Sequence, residues 1–134
     1  MRNHKETAQI IRDDPDVHYN CAQALLMAFE DELPLAKEQA KELGTGFGAG
    51  ILSGKTCGTI TSALMILGMK GMDKAELSKI WAWFKERHEG CTDCAQLLAV
   101  SRENGIERKP HCDKLVRDMA EHIDEILDEA DSIL

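Results

Sequence analysis

Basic residues, aromatics and long apolar runs are all scarce in this 134-residue chain, and each shortage removes a class of function. Sixteen Lys and Arg face 24 Asp and Glu, a net charge of −8 with no basic stripe. Nucleic acid and anionic membrane are therefore not expected partners. No apolar run approaches the ~20 residues of a membrane span, so no membrane partner is expected either. Residues Met1 to Thr7 lack the apolar core of a secretory signal. Few aromatics and few β-branched runs argue against a strand-rich fold. Five cysteines are an odd number, ill suited to a full set of structural disulfides, and a reducing, cytoplasmic setting is expected.

What the chain does have is helical periodicity and helix punctuation. Residues 4–13 form a first expected helix with Ala8, Ile10 and Ile11 apolar, broken by Asp13-Asp14-Pro15-Asp16. Asn20-Cys21-Ala22-Gln23 has the form of a capping box, which puts Cys21 at a first helical position. The following Ala24, Leu25, Leu26, Ala28 and Phe29 are apolar on more than one face, the mark of a central helix. Pro34 is expected to open a helix running to Gly44. Thr56 is expected as an N-cap with Cys57 first in the helix, and Ile60, Ala63, Leu64 and Leu67 form its stripe up to Gly68. Asp73 to Glu76 is a second capping box, opening a helix with Leu77, Ile80, Trp81, Phe84 and His88 on one face. Asp93-Cys94-Ala95-Gln96 is a third. Ser101 to Lys109 reads as a polar loop, and Pro110 as the start of a last helix carrying Leu115, Met119, Ile123, Ile126, Leu127 and Ala130. Cys112 falls in the first turn of that helix. The expectation is an all-α chain: one domain over residues 1–134, a compact bundle of six or seven helices with a glycine-rich loop in the middle.

The chemistry lies with the cysteines. Cys21, Cys57, Cys94 and Cys112 all fall at expected helix starts, where unpaired N–H groups and the macrodipole favour thiolate over thiol. Four such sulfurs, if they converge, suit thiol–disulfide chemistry or soft-metal ligation. Packing alone, as small buried hydrophobes, is the plainer alternative. Upstream, the glycines of residues 44–54 remove side chains that would hold backbone or cofactor away, and Gly48, Gly50 and Gly58 are the candidate cofactor contacts.

With these residues in place the chain resembles the C_GCAxxG_C_C family of redox-active bacterial and archaeal proteins, over nearly its whole length. The family's first cysteine matches Cys21 in Asn-Cys-Ala-Gln-Ala-Leu-Leu. Its glycine-rich lead-in matches Gly46-Phe47-Gly48-Ala49-Gly50-Ile51 ahead of Thr56-Cys57-Gly58. Its third and fourth match Cys94 before Ala-Gln-Leu-Leu and Cys112 before Asp-Lys-Leu-Val. Thr59 stands where the family usually has Ala, and Ser62 where it usually has Gly; both are small. Cys91 is not one of the four. The resemblance implies a redox role, and the export signals of some members imply a bound prosthetic group.

Two other patterns compete. Ala49 to Thr56 ends in Gly-Lys-Thr like a loosened phosphate loop, but no strand is expected to deliver it and no apolar strand ends in a magnesium-binding Asp, so no nucleotide is expected. Cys91-Thr92-Asp93-Cys94 is half a zinc site that only His111 and Cys112 could complete, through folding. His18 and His88, and Met65, Met69 and Met72, read as packing or solvated residues. The leading expectation is a redox centre of Cys21, Cys57, Cys94 and Cys112, catalytic or metal-binding, that holds an iron–sulfur cluster or another soft metal and exchanges electrons with an unidentified redox partner. The alternatives are a metal-free relay pairing Cys21 with Cys57 and Cys94 with Cys91 or Cys112, and a helical interaction protein without catalysis.

Overall fold

The helix Cys21–Ala28 (α2) is apolar around its circumference, and every residue after Cys21 is buried. Helices α1 (His4–Arg12), α3 (Lys37–Gly44), α4 (Gly58–Met69) and α7 (Arg108–Ser132) pack on it, while α5 (Lys74–Arg87) lies on α4 and α6 (Cys94–Glu103) on α7. This computed structural model describes residues 2–133. Among the described residues the fold is all-α, with seven α-helices and no strand; one isolated antiparallel bridge joins Thr56 to Asp93. No described helix is long and apolar enough to cross a membrane.

The core follows the expected stripes. Leu25, Leu26 and Phe29 from α2 and its C-cap meet Ile60, Ala63, Ile66 and Leu67 of α4, Ile80 and Phe84 of α5, and Leu115, Val116, Met119 and Ile123 of α7. Removing that much apolar surface from water is the main stabilising term, about 25 cal/mol per Å² buried. The Asn20 capping box forms as expected: Asn20 Oδ1 accepts from the Gln23 N–H at 2.7 Å, and Gln23 Oε1 from the Asn20 N–H at 3.0 Å. At Asp73 the carboxylate accepts from the Glu76 N–H.

Several boundaries differ from expectation. α3 begins after Ala36, whose N–H donates to Gln39 Oε1, so Pro34 lies ahead of the helix rather than in its first turn. α4 runs through Gly68 and ends one residue later; Gly71, at φ 92°, turns the chain so that the Met72 N–H reaches the Leu67 carbonyl. α6 continues to Glu103, and Gly105 makes the same turn there, with the Ile106 N–H on the Ser101 carbonyl. The expected loop from Ser101 thus shrinks to residues 104–107. α7 opens at Arg108, and Pro110 occupies its third position, where a missing N–H costs nothing.

A buried ion network ties the N-terminus to α7. His4 is 7% exposed, stacks on Phe29, and bonds Asp124 through Nδ1 (2.6 Å) and Asp31 through Nε2 (2.9 Å). Burial opposes the imidazolium, but the bonds to the two carboxylates outweigh it and raise the His4 pKa above its ordinary 6.5. A raised pKa stabilises the fold fully below the unfolded value, and that stability is lost as pH rises through the folded value. Unfolding measured at pH 5.5 and pH 8.5 should therefore show wild type losing on the order of 1 kcal/mol more than His4→Gln across the interval. An equal loss in both proteins would place the titration elsewhere.

Candidate functional site

Two short extended segments cross between the glycine-rich run and α6, and they bring two of the cysteines together. The Cys57 N–H donates to the Thr92 carbonyl at 2.9 Å, and the Cys94 N–H to the Lys55 carbonyl at 2.6 Å, on either side of the Thr56–Asp93 bridge. This clip changes the expected caps. Cys57 is itself the N-cap of α4, its carbonyl accepting from the Ile60 and Thr61 N–H groups, and Thr56 belongs to the bridge. Asp93 makes no side-chain capping bond, although Cys94 is first in α6 as expected. Cys21 is first in α2. Cys112 is the fifth residue of α7, two positions deeper than expected, because the helix starts at Arg108 rather than Pro110.

Residues 49–52 lead into the clip as a left-handed turn, with φ of 51°, 64°, 57° and 58° for Ala49, Gly50, Ile51 and Leu52. Three of the four are not glycine, and such conformations cost roughly 1–3 kcal/mol each unless the surroundings enforce them. Here the Lys55 N–H closes the turn onto the Gly50 carbonyl at 2.9 Å. Gly50 lies against Cys94, and Gly58 against the Phe47 carbonyl and the Ala22 backbone. Gly48 is placed apart from the other two candidate glycines. It rests on the Asn20 side chain, where a Cβ would come within 2.6 Å, so it supports the α2 cap and does not reach the cavity.

Cys21, Cys57, Cys94 and Cys112 line one cavity of about 580 Å³, together with Gly50, Gly58 and Leu97. Cys91 does not line it; it packs at the core's edge. All five cysteines are thiols. Within the cavity the Cys21 and Cys112 thiols act on each other's ionisation, and Cys57 acts electrostatically on Cys21. Cys21 thus has both its expected neighbour Cys57 and Cys112 beside it in the cavity. Cys57 is 4% exposed, and its sulfur lies 3.1 Å from the Thr59 hydroxyl. Thr59 and Ser62 are fully buried, yet the Ser62 hydroxyl is satisfied by the Gly58 carbonyl at 2.6 Å, which accounts for a polar residue at a tight position.

The helix starts do not make every sulfur acidic. A helix end contributes about 0.3–1 kcal/mol and up to ~2 where partly buried, whereas taking a thiolate out of water costs on the order of several kcal/mol. Burial accordingly pushes Cys57 and Cys94 up. Cys21 is driven well above its ordinary value, first by its hydrogen bond to Cys112 and then by burial. Cys112 alone falls, to about 7. The bond from Cys21 is the main cause, and the guanidiniums of Arg12 and Arg108 both act on the same sulfur, which is why the charge of the pair belongs on Cys112. Alkylation followed against pH, residue by residue, should give an inflection near 7 at Cys112 and later inflections at the other cavity thiols. Inflections at or above about 8.5 for all of them would contradict this assignment.

Arg12, Arg108 and His18 also line the cavity, and no sequence motif marked them as site residues; His111, offered by the sequence only as a completion of the Cys91–Cys94 half-site, lines it too. Arg12 is the most informative. It is 4% exposed in α1, pairs with Asp113 at 2.7 Å and donates to the Tyr19 carbonyl at 2.8 Å. A lone arginine on the inner face of an amphipathic helix was the available signal. His111 is lowered by burial and so is neutral near pH 7. Elsewhere, His4, Glu32 and Asp124 are the group of three whose donor atoms lie within 4.8 Å of one another among the described residues. Arg2 and Lys70 already neutralise Glu32, at 2.6 and 3.5 Å, so this group is part of the ion network.

The phosphate-loop resemblance ends at the backbone, since α3 and a left-handed turn occupy the place of the strand. Comparison with curated proteins and with solved structures gives no significant match. The model of one family, described as "Putative redox-active protein (C_GCAxxG_C_C)", matches residues 19–126. That span contains the α2 cap, the left-handed turn, the bridged clip and all four cavity thiols, and the chain belongs to this family.

Proposed function

We propose that this protein is a thiol–disulfide redox protein in which Cys112 attacks and Cys21 resolves. What supports the reading is that Cys21 and Cys112 line the same cavity, and that their interaction with each other and with Arg12 and Arg108 favours the thiolate on Cys112 over Cys21. Cys112 thiolate attacks one sulfur of a disulfide RSSR, the S–S bond breaks, and RS⁻ leaves to take up a proton. Cys21, once deprotonated, attacks the Cys112 sulfur and releases the second RSH. Two protein thiols become one disulfide while RSSR becomes two RSH, and a reducing dithiol returns the pair to its starting state. Five thiols outside any disulfide suit a reducing, cytoplasmic setting. Equilibration in dithiothreitol redox buffers should reveal a two-electron couple in which two of five thiols are lost. Retention of all five thiols under oxidising buffer would overturn the proposal.

A second reading is favoured by the convergence of all four sulfurs, two more than a dithiol needs. Cys21, Cys57, Cys94 and Cys112 would hold an iron–sulfur or other soft-metal centre, whose chemistry would be electron transfer. The donor set fits such a group. No three of these sulfurs lie within 4.8 Å of one another, wider than the ~3.8 Å edge of a tetrahedral thiolate site with bonds of about 2.3 Å. A single ion would therefore draw the helix starts inward, whereas a polynuclear cluster spans more. Iron and sulfide analysis after anaerobic purification separates the readings: stoichiometric iron and sulfide favours the cluster, and their absence with an intact two-electron couple favours the dithiol.

A further inference from the structure

The cavity's charge is the reverse of the chain's. Acidic residues outnumber basic ones by 24 to 16, yet no carboxylate lines the cavity, and Arg12, Arg108 and Lys109 do. Two of these three cations are already matched. Arg12 is held by Asp113, and Lys109 by Asp13 at 2.8 Å and Asp113 at 2.7 Å. Arg108 has no carboxylate within 4.0 Å among the described residues. It is the first residue of α7, its side chain is solvent-exposed, and its charge is felt at both Cys112 and Cys94.

From this arrangement we propose that the cavity takes a small anionic disulfide, with Arg108 as the residue that binds its negative group beside the attacking Cys112. The proposal rests on the thiol–disulfide reading above and adds the substrate class. A volume of about 580 Å³ is that of a small-molecule pocket. A guanidinium presents a planar fork of donors that matches a carboxylate bidentately. Arg12 and Lys109 leave less for a ligand because their own carboxylates hold them, so the selectivity falls on Arg108. The arrangement also explains an economy in the site: the cation that favours the Cys112 thiolate is the one left open toward an incoming anion. An anionic substrate is thereby drawn to the same end of the cavity at which its S–S bond must be attacked.

The test uses three disulfides of different charge: dithiodipropionate (anionic), hydroxyethyl disulfide (neutral) and cystamine (cationic). Loss of the Cys112 thiol is followed by mass spectrometry on the reduced full chain, and each rate is divided by that of the same disulfide with mercaptoethanol. Wild type should prefer the anion over the neutral disulfide by about tenfold and over the cation by more. Arg108→Gln should bring the anion-to-neutral ratio to within about twofold of one, Arg108→Lys should retain most of it, and raised salt should shrink it in wild type. Dividing by the neutral rate removes any change in Cys112 ionisation. Equal normalised rates for all three disulfides in wild type would overturn the anionic substrate while leaving the thiol reading intact. A preference undiminished in Arg108→Gln would overturn the role of Arg108. Failure of Cys112 to react with any of the three would overturn the thiol reading itself.

Discussion

Cys112→Ser should reduce reaction with small disulfides by at least about 100-fold, and Cys91→Ser should leave it within about twofold. The asymmetry follows from position. Cys112 lies in the cavity with its pKa lowered to about 7, so at neutral pH it is the cavity thiol most readily ionised. Serine in its place offers no comparable nucleophile. Cys91 lies outside the cavity, with its N–H on the His88 carbonyl. Cys21→Ser separates the two steps of the exchange: Cys112 should still attack, and the protein should accumulate as a mixed disulfide on Cys112. Cys94→Ser serves the metal-centre reading, since it should greatly weaken a four-sulfur centre and spare a Cys21–Cys112 exchange. Rates measured with folded variants, checked by their helical circular dichroism, decide among these outcomes. If Cys91→Ser were the damaging change, Cys91 and Cys94 would be the working pair.

The second large effect is expected at Gly50. Gly50→Ala should destabilise the fold by about 3 kcal/mol or more and should cost Cys94 its place in the cavity. A Cβ there would run into the Lys55 backbone and approach Cys94 Cβ to 2.8 Å, at a residue with φ of 64°. Lys55 cannot give way cheaply. Its N–H is bonded to the Gly50 carbonyl, and its own carbonyl accepts from Cys94 at 2.6 Å. Gly46→Ala is the control, since a Cβ there meets nothing within 4 Å. Denaturant unfolding of both variants gives the comparison. Equal, small losses would mean that the left-handed turn is not held as the geometry requires.

Local sequence signals were read correctly where the deciding interactions are themselves local. The Asn20–Gln23 capping box and the all-round apolar run after it locate α2 and its central place, and the stripe from Leu115 to Leu127 identifies the buried face of α7. The four cavity cysteines were likewise legible as a set. What was not legible depends on contacts between distant segments. Cys57 becomes a cap because Thr56 pairs with Asp93, 37 positions further along, and neither neighbourhood contains that information. Cys112 sits deeper than Pro110 suggested because proline tolerates any position in the first turn. Cys112 joins Cys21 in the cavity because α7 packs on α2. The expectation that helix starts favour thiolate took account of the helix ends and underweighted burial, the stronger of the two opposing effects at Cys57 and Cys94.

The most direct measurement is to identify which sulfurs join when the reduced protein is oxidised by one equivalent of a small disulfide. Free thiols are blocked at low pH, the protein is digested without reduction, and the cross-linked peptides are sequenced by mass spectrometry. Joining of Cys21 to Cys112, with Cys57, Cys91 and Cys94 recovered as blocked thiols, is the predicted result. Joining of Cys91 to Cys94, or recovery of all five as blocked thiols, would contradict it.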